Sequence, residues 1–371
     1  MIAMLQFMRE SRQVPWAVQL GNEASNDDGG SGAARRFVVL DDALTSLFGP
    51  LGSAGRPLVM GPDITDGATS VAWVTEFWST LHALNRSRLL HAFTYHAYGG
   101  RGQVESAAEL RNATVLQNSY AASAYERAWA PFNFTESGVQ VWVGESAARS
   151  GGGVRGLTDS FASLYYYLDS LAATALANHS GFLRQDLVGA HYSLVSGCSV
   201  GAWDTYGGAE AGECRPNPDF WGALLFKRLM VGVNLPITVG HPRNESLRAY
   251  VQCNSNSNST EGSEVGMTVL LINLLATVQA VHLDIPTSPR DYVEYSLTPP
   301  KGPLHEQMAS AGVLLNGQLL SMLPGPPWIP ALSGVTRQFG DDSLLVLRPL
   351  ALTFLAVTGP AGFCHAATAF R

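Results

Sequence analysis

The stretch Val139-Gln140-Val141-Trp142-Val143-Gly144-Glu145-Ser146 decides how the chain is read: a short apolar run closes abruptly on a glycine and a carboxylate. Four other runs behave alike, Trp16 to Leu20, Pro57 to Met60, Leu89 to Tyr95 and Phe182 to Tyr192. They deliver Gly21-Asn22-Glu23, Gly61-Pro62-Asp63, His96 with Tyr98, and His191-Tyr192 at or just past their ends. Between them, Asp41 to Phe48, Val71 to Leu84 and Thr158 to Ala177 carry the apolar spacing of amphipathic helices. Strands alternating with helices predict βα units and a parallel sheet. In a βα barrel the active site lies at the carboxyl ends of the strands, which is where these carboxylates and imidazoles fall.

Beyond a helix-like stretch from Asp219 to Met230 the texture changes. Alternating segments such as Leu247 to Gln252, Gly266 to Leu275, Ala280 to Ile285 and Leu344 to Val357, set between Pro and Gly turns, predict an antiparallel β-sandwich. The Asn- and Ser-rich tract from Cys253 to Glu264 reads as a surface loop in it. Residues 1–232 are therefore expected to form a partial (β/α)8 TIM-barrel-type catalytic domain with about five βα units, and residues 233–371 a β-sandwich.

Composition narrows the function. At 371 residues and 46% hydrophobic the chain is globular, and no apolar run reaches the length of a transmembrane segment. The net charge is -7, and lysine occurs only at Lys227 and Lys301. Nucleic acid and strongly sulfated polyanions are held by concentrated positive charge, so neutral or lightly charged partners are expected. Six N-x-S/T sequons, at Asn85, Asn112, Asn133, Asn178, Asn244 and Asn258, together with four cysteines, point to the secretory pathway. A secreted, extracellular, lysosomal or vacuolar glycoprotein is the expectation. The four cysteines have no C-x-x-C spacing and no H-E-x-x-H occurs, so neither a metal nor a cofactor is expected.

Retaining hydrolysis of a glycosidic bond needs one carboxyl to protonate the leaving oxygen and a second to attack the anomeric carbon. Glu23 and Glu145 are distant in sequence, yet strands of one barrel would bring their ends together. Val18 to Glu23 (V-Q-L-G-N-E) and Val141 to Ser146 (V-W-V-G-E-S) resemble the acid and nucleophile strands of the heparanase-like β-glucuronidase family, glycoside hydrolase family 79. Gly61 to Asp63, Tyr95 to Tyr98, Gly151 to Gly153, Arg184-Gln185, Pro218 to Met230 and Val313 to Gly317 extend the resemblance in collinear order over nearly the whole chain.

The resemblance implies that Glu23 is the acid/base, Glu145 the nucleophile, and Asn22 the partner of the sugar 2-hydroxyl. His96 and Tyr98 would line the subsite and hydrogen-bond the nucleophile, favouring its charged form. Gly151, Gly152 and Gly153 would bring backbone amides to a uronic carboxylate, and Tyr192 would stand at the last barrel strand. Cys253 and Cys364 match positions that form a disulfide; Cys198 and Cys214 could pair with each other. The implied substrate is a glucuronic-acid-containing glycan or proteoglycan. Scarce lysine favours exo-acting β-glucuronidase over endo-cleavage of heparan sulfate, though Arg101 and Arg155 could face an acidic sugar.

The family's acid closes the fourth barrel strand, whereas Glu23 stands near the start. Three strands and a signal peptide are thus expected to be missing from the amino terminus, and the chain alone is expected to fold incompletely and to be inactive. Two rival classes remain. A serine hydrolase would use Ser146, but a nucleophile elbow needs glycine where Ala148 stands. A non-catalytic glycan-binding protein would not need both carboxylates, and both are present.

Overall fold

A computed structural model describes residues 2–23, 29–65, 70–99, 103–119, 129–196, 215–235, 237, 239, 246–254, 265–283, 291–339 and 344–359. They fall into two compact units: Met1–Tyr98 with Tyr120–Ser146 and Ala177–Arg184, and Gly99–Ser119 with Ala147–Leu176 and Gln185–Arg371. The second unit takes in helices from the βα region as well as the C-terminal strands.

The first unit is built on a five-stranded parallel sheet in sequential order: β1 (Ala17–Gln19), β2 (Leu58–Thr65), β3 (Ala92–His96), β4 (Gln140–Ser146) and β5 (Gly181–Arg184). Sequential parallel order is what consecutive βα units produce. Helix α1 (Ile2–Glu10) precedes the sheet; α2 (Gly29–Phe48) and α3 (Ser70–Ala83) follow its first two strands. Phe37, Leu40 and Leu44 of α2 and Trp73, Val74, Phe77 and Leu81 of α3 share one core with Phe93, Tyr95, Val141 and Val143 of the strands. Each such side chain contributes about 1.5–3 kcal/mol on burial, so this face locks the sheet.

Two expectations need correction in this unit. The second helix begins at Gly29, twelve residues before Asp41. A β-carbon on Gly30 would lie 1.9 Å from the Trp73 carbonyl oxygen, so the close approach of α3 requires glycine there. The expected strand Phe182 to Tyr192 shrinks to Gly181–Arg184. Past it the chain folds back on itself, with Leu194 N–H donating to Asp186 and Val195 N–H to Leu187.

In the second unit α4 (Ala113–Ser119) comes first in the chain, and α5 (Phe161–Leu176) lies against α6 (Pro218–Leu229). A large antiparallel sheet runs β14 (Gln318–Leu319), β13 (Leu314–Leu315), β12 (Asp291–Thr298), β17 (Leu352–Gly359), β10 (Val265–Asn273), β9 (Leu247–Asn254) and β8 (Val233–Leu235), with β15 (Val335–Gln338) also paired to β12. Its longest strand, β10, is matched to β9 and β17 over eight residue pairs each. The small sheet of β11 (Gln279–His282) and β16 (Leu344–Leu347) shares a core with one face of the large one through Leu345, Leu347, Val251, Val269, Leu271 and Leu355. Among the described residues past residue 232 the antiparallel part is thus one large sheet and one strand pair; a second short antiparallel pair, β6 (Val195–Ser196) with β7 (Arg215–Pro216), lies earlier in the chain. The single segment Leu344 to Val357 is in fact two strands in different sheets, because the backbone turns at Leu350, where φ is +60°. No helix among the described residues is long and apolar enough to cross a membrane.

Candidate active site

Side chains of a strand alternate between faces. Phe93 and Tyr95 of β3 point to the helices, so Thr94 and His96 take the other face. By the same count Glu145 would follow Val141 and Val143 to the helix side. Register prevents this: Tyr95 pairs with Val143 but His96 with Glu145, so Gly144 is an extra residue, a bulge that re-aims the carboxylate. A matching shift in β2 pairs Thr94 with Pro62 and Tyr95 with Ile64, which leaves Asp63 as the extra residue at φ +59°. The two bulges flank β3. A β-carbon on Gly144 would lie 2.3 Å from Asp63 Oδ1, so only glycine leaves room for that carboxylate.

The result is a cluster around one imidazole. His96 Nδ1 lies 3.1 Å from Glu23 Oε1 and 3.1 Å from Glu145 Oε2, while Nε2 lies 2.9 Å from Asp63 Oδ2. Tyr98 donates its hydroxyl hydrogen to Glu145 Oε1. Glu23 itself has φ +51°, and its N–H donates to the Asp63 carbonyl at 2.8 Å. Exposure is graded: the side chains of His96 and Asp63 are 2% and 3% accessible, Glu145 19%, Glu23 44%. Burial by itself would depress the His96 pKa. The hydrogen bond and charge of Asp63, the charge of Glu145 and the hydrogen bond of Glu23 outweigh it and raise the value to about 8.

Four of the expected residues are therefore brought together: Glu23, Glu145, His96 and Tyr98. Asn22 is exposed next to Glu23. Asp63 is the member that sequence reasoning misses, and its signal is only the polar close of Gly61-Pro62-Asp63. Glu23, His96 and Glu145 offer atoms within 4.8 Å of one another, close enough for a cation. Because both carboxylates engage Nδ1, the group reads as a hydrogen-bonded carboxylate pair rather than a metal ligand set.

The remaining expected residues belong to the second unit. Gly151, Gly152 and Gly153 all have positive φ, at +66°, +87° and +77°, a run that side-chain-bearing residues would not adopt. A β-carbon on Gly153 would lie 2.9 Å from the Tyr192 nitrogen, so the glycine turn and Tyr192 adjoin. Tyr192 is buried, and its hydroxyl accepts a long hydrogen bond of 3.4 Å from Gln185. Arg155 is exposed; Arg101 lies outside the described residues. Cys253 is disulfide-bonded, while Cys364, Cys198 and Cys214 lie outside the described residues.

A carboxylate pair at the carboxyl ends of parallel strands is the constellation by which glycoside hydrolase barrels are known. No family model matches the chain. In sequence the chain is similar to a β-glucuronidase and to heparanases. It is 28% identical over 310 residues to baicalin-β-D-glucuronidase of Scutellaria baicalensis, covering 83% of this chain and 51% of that protein. It is 28% identical over 271 residues to heparanase of Bos taurus, covering 72% and 45%. The chain thus spans about half the length of these curated relatives. In fold it is similar to a 4-O-α-L-rhamnosyl-β-D-glucuronidase from Fusarium oxysporum, with a TM-score of 0.56 at 14% identity over 93% of this chain and 70% of that one.

Proposed function

We propose that the chain carries the catalytic pair of a retaining glycoside hydrolase acting on β-glucuronidic bonds. The observation that carries the reading is the pairing of Glu23 and Glu145 on one imidazole nitrogen, with an oxygen of each within 4.8 Å of the other. Retaining enzymes hold their carboxyls about 5–5.5 Å apart, inverting ones about 6.5–9.5 Å. The asymmetry of the pair supports a division of roles. Glu145, held by Tyr98 and His96 and mostly covered, suits a nucleophile whose position must be fixed. Glu23, more open to solvent, suits the acid/base that must meet a leaving group and then a water.

In this reading Glu145 attacks the anomeric carbon as the glycosidic bond breaks and Glu23 gives its proton to the departing oxygen. Water then cleaves the glycosyl ester while Glu23 takes a proton from it. The substrate class rests on the relatives, which include a β-glucuronidase and heparanases. With two lysines and a net charge of -7, exo-action on terminal glucuronic acid is favoured over endo-cleavage of heparan sulfate. The amides of Gly151 to Gly153 are proposed as the contact of the uronic carboxylate, Tyr192 as a subsite wall and Asn22 as the partner of the 2-hydroxyl. Passage through the secretory pathway is supported by Asn85, Asn112, Asn133 and Asn178, all exposed, and by the bonded Cys253.

An aryl β-glucuronide and a cyclophellitol-type uronic probe, applied to the full-length gene product, test the reading. Turnover and label on Glu145, with both lost in Glu145→Gln, are expected. Label elsewhere, or glycan binding without turnover or label, would replace it with another nucleophile or with a binding protein. Release of monosaccharide against shortening of heparan sulfate chains separates exo- from endo-action.

A further inference from the structure

The least exposed carboxylate of the cluster has no part in the two-carboxylate chemistry. Asp63 is nonetheless the residue on which both halves of the cluster converge. Its side chain receives His96 Nε2 at 2.9 Å, and its backbone carbonyl receives the Glu23 N–H at 2.8 Å. It stands in a left-handed conformation at the β2 bulge, and the β4 bulge leaves it space only because residue 144 is glycine. Such a placement is unfavourable for most side-chain-bearing residues and persists only where the surroundings impose it.

We propose that Asp63 is a positioning residue that acts through His96: it takes the Nε2 hydrogen, turns Nδ1 toward Glu23 and Glu145, and anchors the Glu23 backbone by its carbonyl. The inference rests on the hydrolase reading above and assigns a residue that the reading does not use. A histidine's ring orientation and tautomer are set by the partner of its second nitrogen. With Nε2–H given to Asp63, Nδ1 faces the two carboxylates; when the ring is protonated, Nδ1–H bridges them. The titratable groups facing His96 are Asp63 from β2, Glu23 beyond β1 and Glu145 from β4, all acidic. Tyr98, also titratable, reaches Glu145. The elevated pKa of His96 agrees with this setting.

The test uses Asp63→Asn in the full-length gene product, which keeps an acceptor of the same size but removes the charge. Nitrogen-15 NMR of the His96 ring, identified by its loss in His96→Gln, should show the titration midpoint fall by about one to two pH units. The alkaline limb of aryl β-glucuronide turnover should move down with it, and kcat should fall more than KM rises. A merely structural role would lower the folded fraction and leave midpoint and limb in place, and an unmoved midpoint overturns the proposal. If Asp63→Asn does not fold, the unaltered protein decides: above the midpoint neutral His96 should carry its proton on Nε2, and an Nδ1–H tautomer overturns the proposal. A wild-type protein with no turnover and no covalent label would sink the hydrolase reading, while the NMR arm would still judge Asp63.

Discussion

Asp63 in the first unit and Asp169 in the second are both buried in hydrogen-bonded networks of similar make-up, and the two networks do different things. In the first unit Asp63 faces His96, and Tyr98 completes the cluster on Glu145. In the second, Asp169 of α5 accepts from Arg248 Nε at 2.9 Å and from the Tyr250 hydroxyl at 2.6 Å. Both pair an acid with a base and a phenol. One base can release its proton near neutrality and looks out on half-open carboxylates; the other is a guanidinium that never titrates, set against a carboxylate with no exposure at all. Burial with matched partners gives structure in either case. Reactivity additionally needs a group that can change charge and a path to solvent.

The comparison breaks most sharply on Glu145. Replacing it by Gln should lower turnover on the order of 10⁴-fold or more with little change in stability, since a nucleophile's contribution is made in the transition state. Equal activity of Glu145→Gln, measured by steady-state kinetics, would strip the first network of its chemical role. Arg248→Met should do the reverse. It leaves the Asp169 carboxylate buried without its cation and should cost about 3–5 kcal/mol in urea unfolding, with turnover per folded molecule unchanged.

Smaller effects sharpen the contrast. Tyr98→Phe removes a hydrogen bond to a charged group, about 1.5–3 kcal/mol, which in a rate is roughly a 10- to 100-fold loss. Single-turnover kinetics should place that loss in glycosyl-enzyme formation. The pH windows differ as well. His96 is raised from 6.5 to about 8, so its stabilising contribution is complete below 6.5 and is lost as pH rises through about 8. Burial raises Asp169 from 3.8 to about 7 against the opposing hydrogen bond of Tyr250. The folded state then keeps a proton that the unfolded chain has released, so stability declines between about 4 and 7 and is level above. Urea midpoints across pH should resolve both declines, and alkaline loss of activity should track only the His96 window. Tyr250→Phe, the smallest change, should cost about 1–2 kcal/mol and, by removing the hydrogen bond that holds the Asp169 pKa down, carry the Asp169 decline to higher pH.

What the sequence by itself determined is whatever follows from local periodicity and from the ends of runs. Short apolar runs closing on polar groups gave five parallel strands in order, helical stripes such as Val71 to Leu84 gave α3, and Gly21-Asn22-Glu23 and Gly144-Glu145-Ser146 announced the two carboxylates. Alternation of segments past residue 232 gave antiparallel strands. The tertiary structure decided the rest. Strict alternation sends Glu145 to the helix face; the Gly144 bulge turns it to His96, and a bulge exists only relative to the strand beside it. Asp63 is recruited the same way, by space that Gly144 leaves across β3. The need for glycine at position 30 was set by how closely the Trp73 backbone approaches it, and the break at Leu350 by two sheets that claim its flanking strands. Periodicity is a property of one segment, whereas register, close approach and shared burial are properties of pairs, and the site is made of pairs.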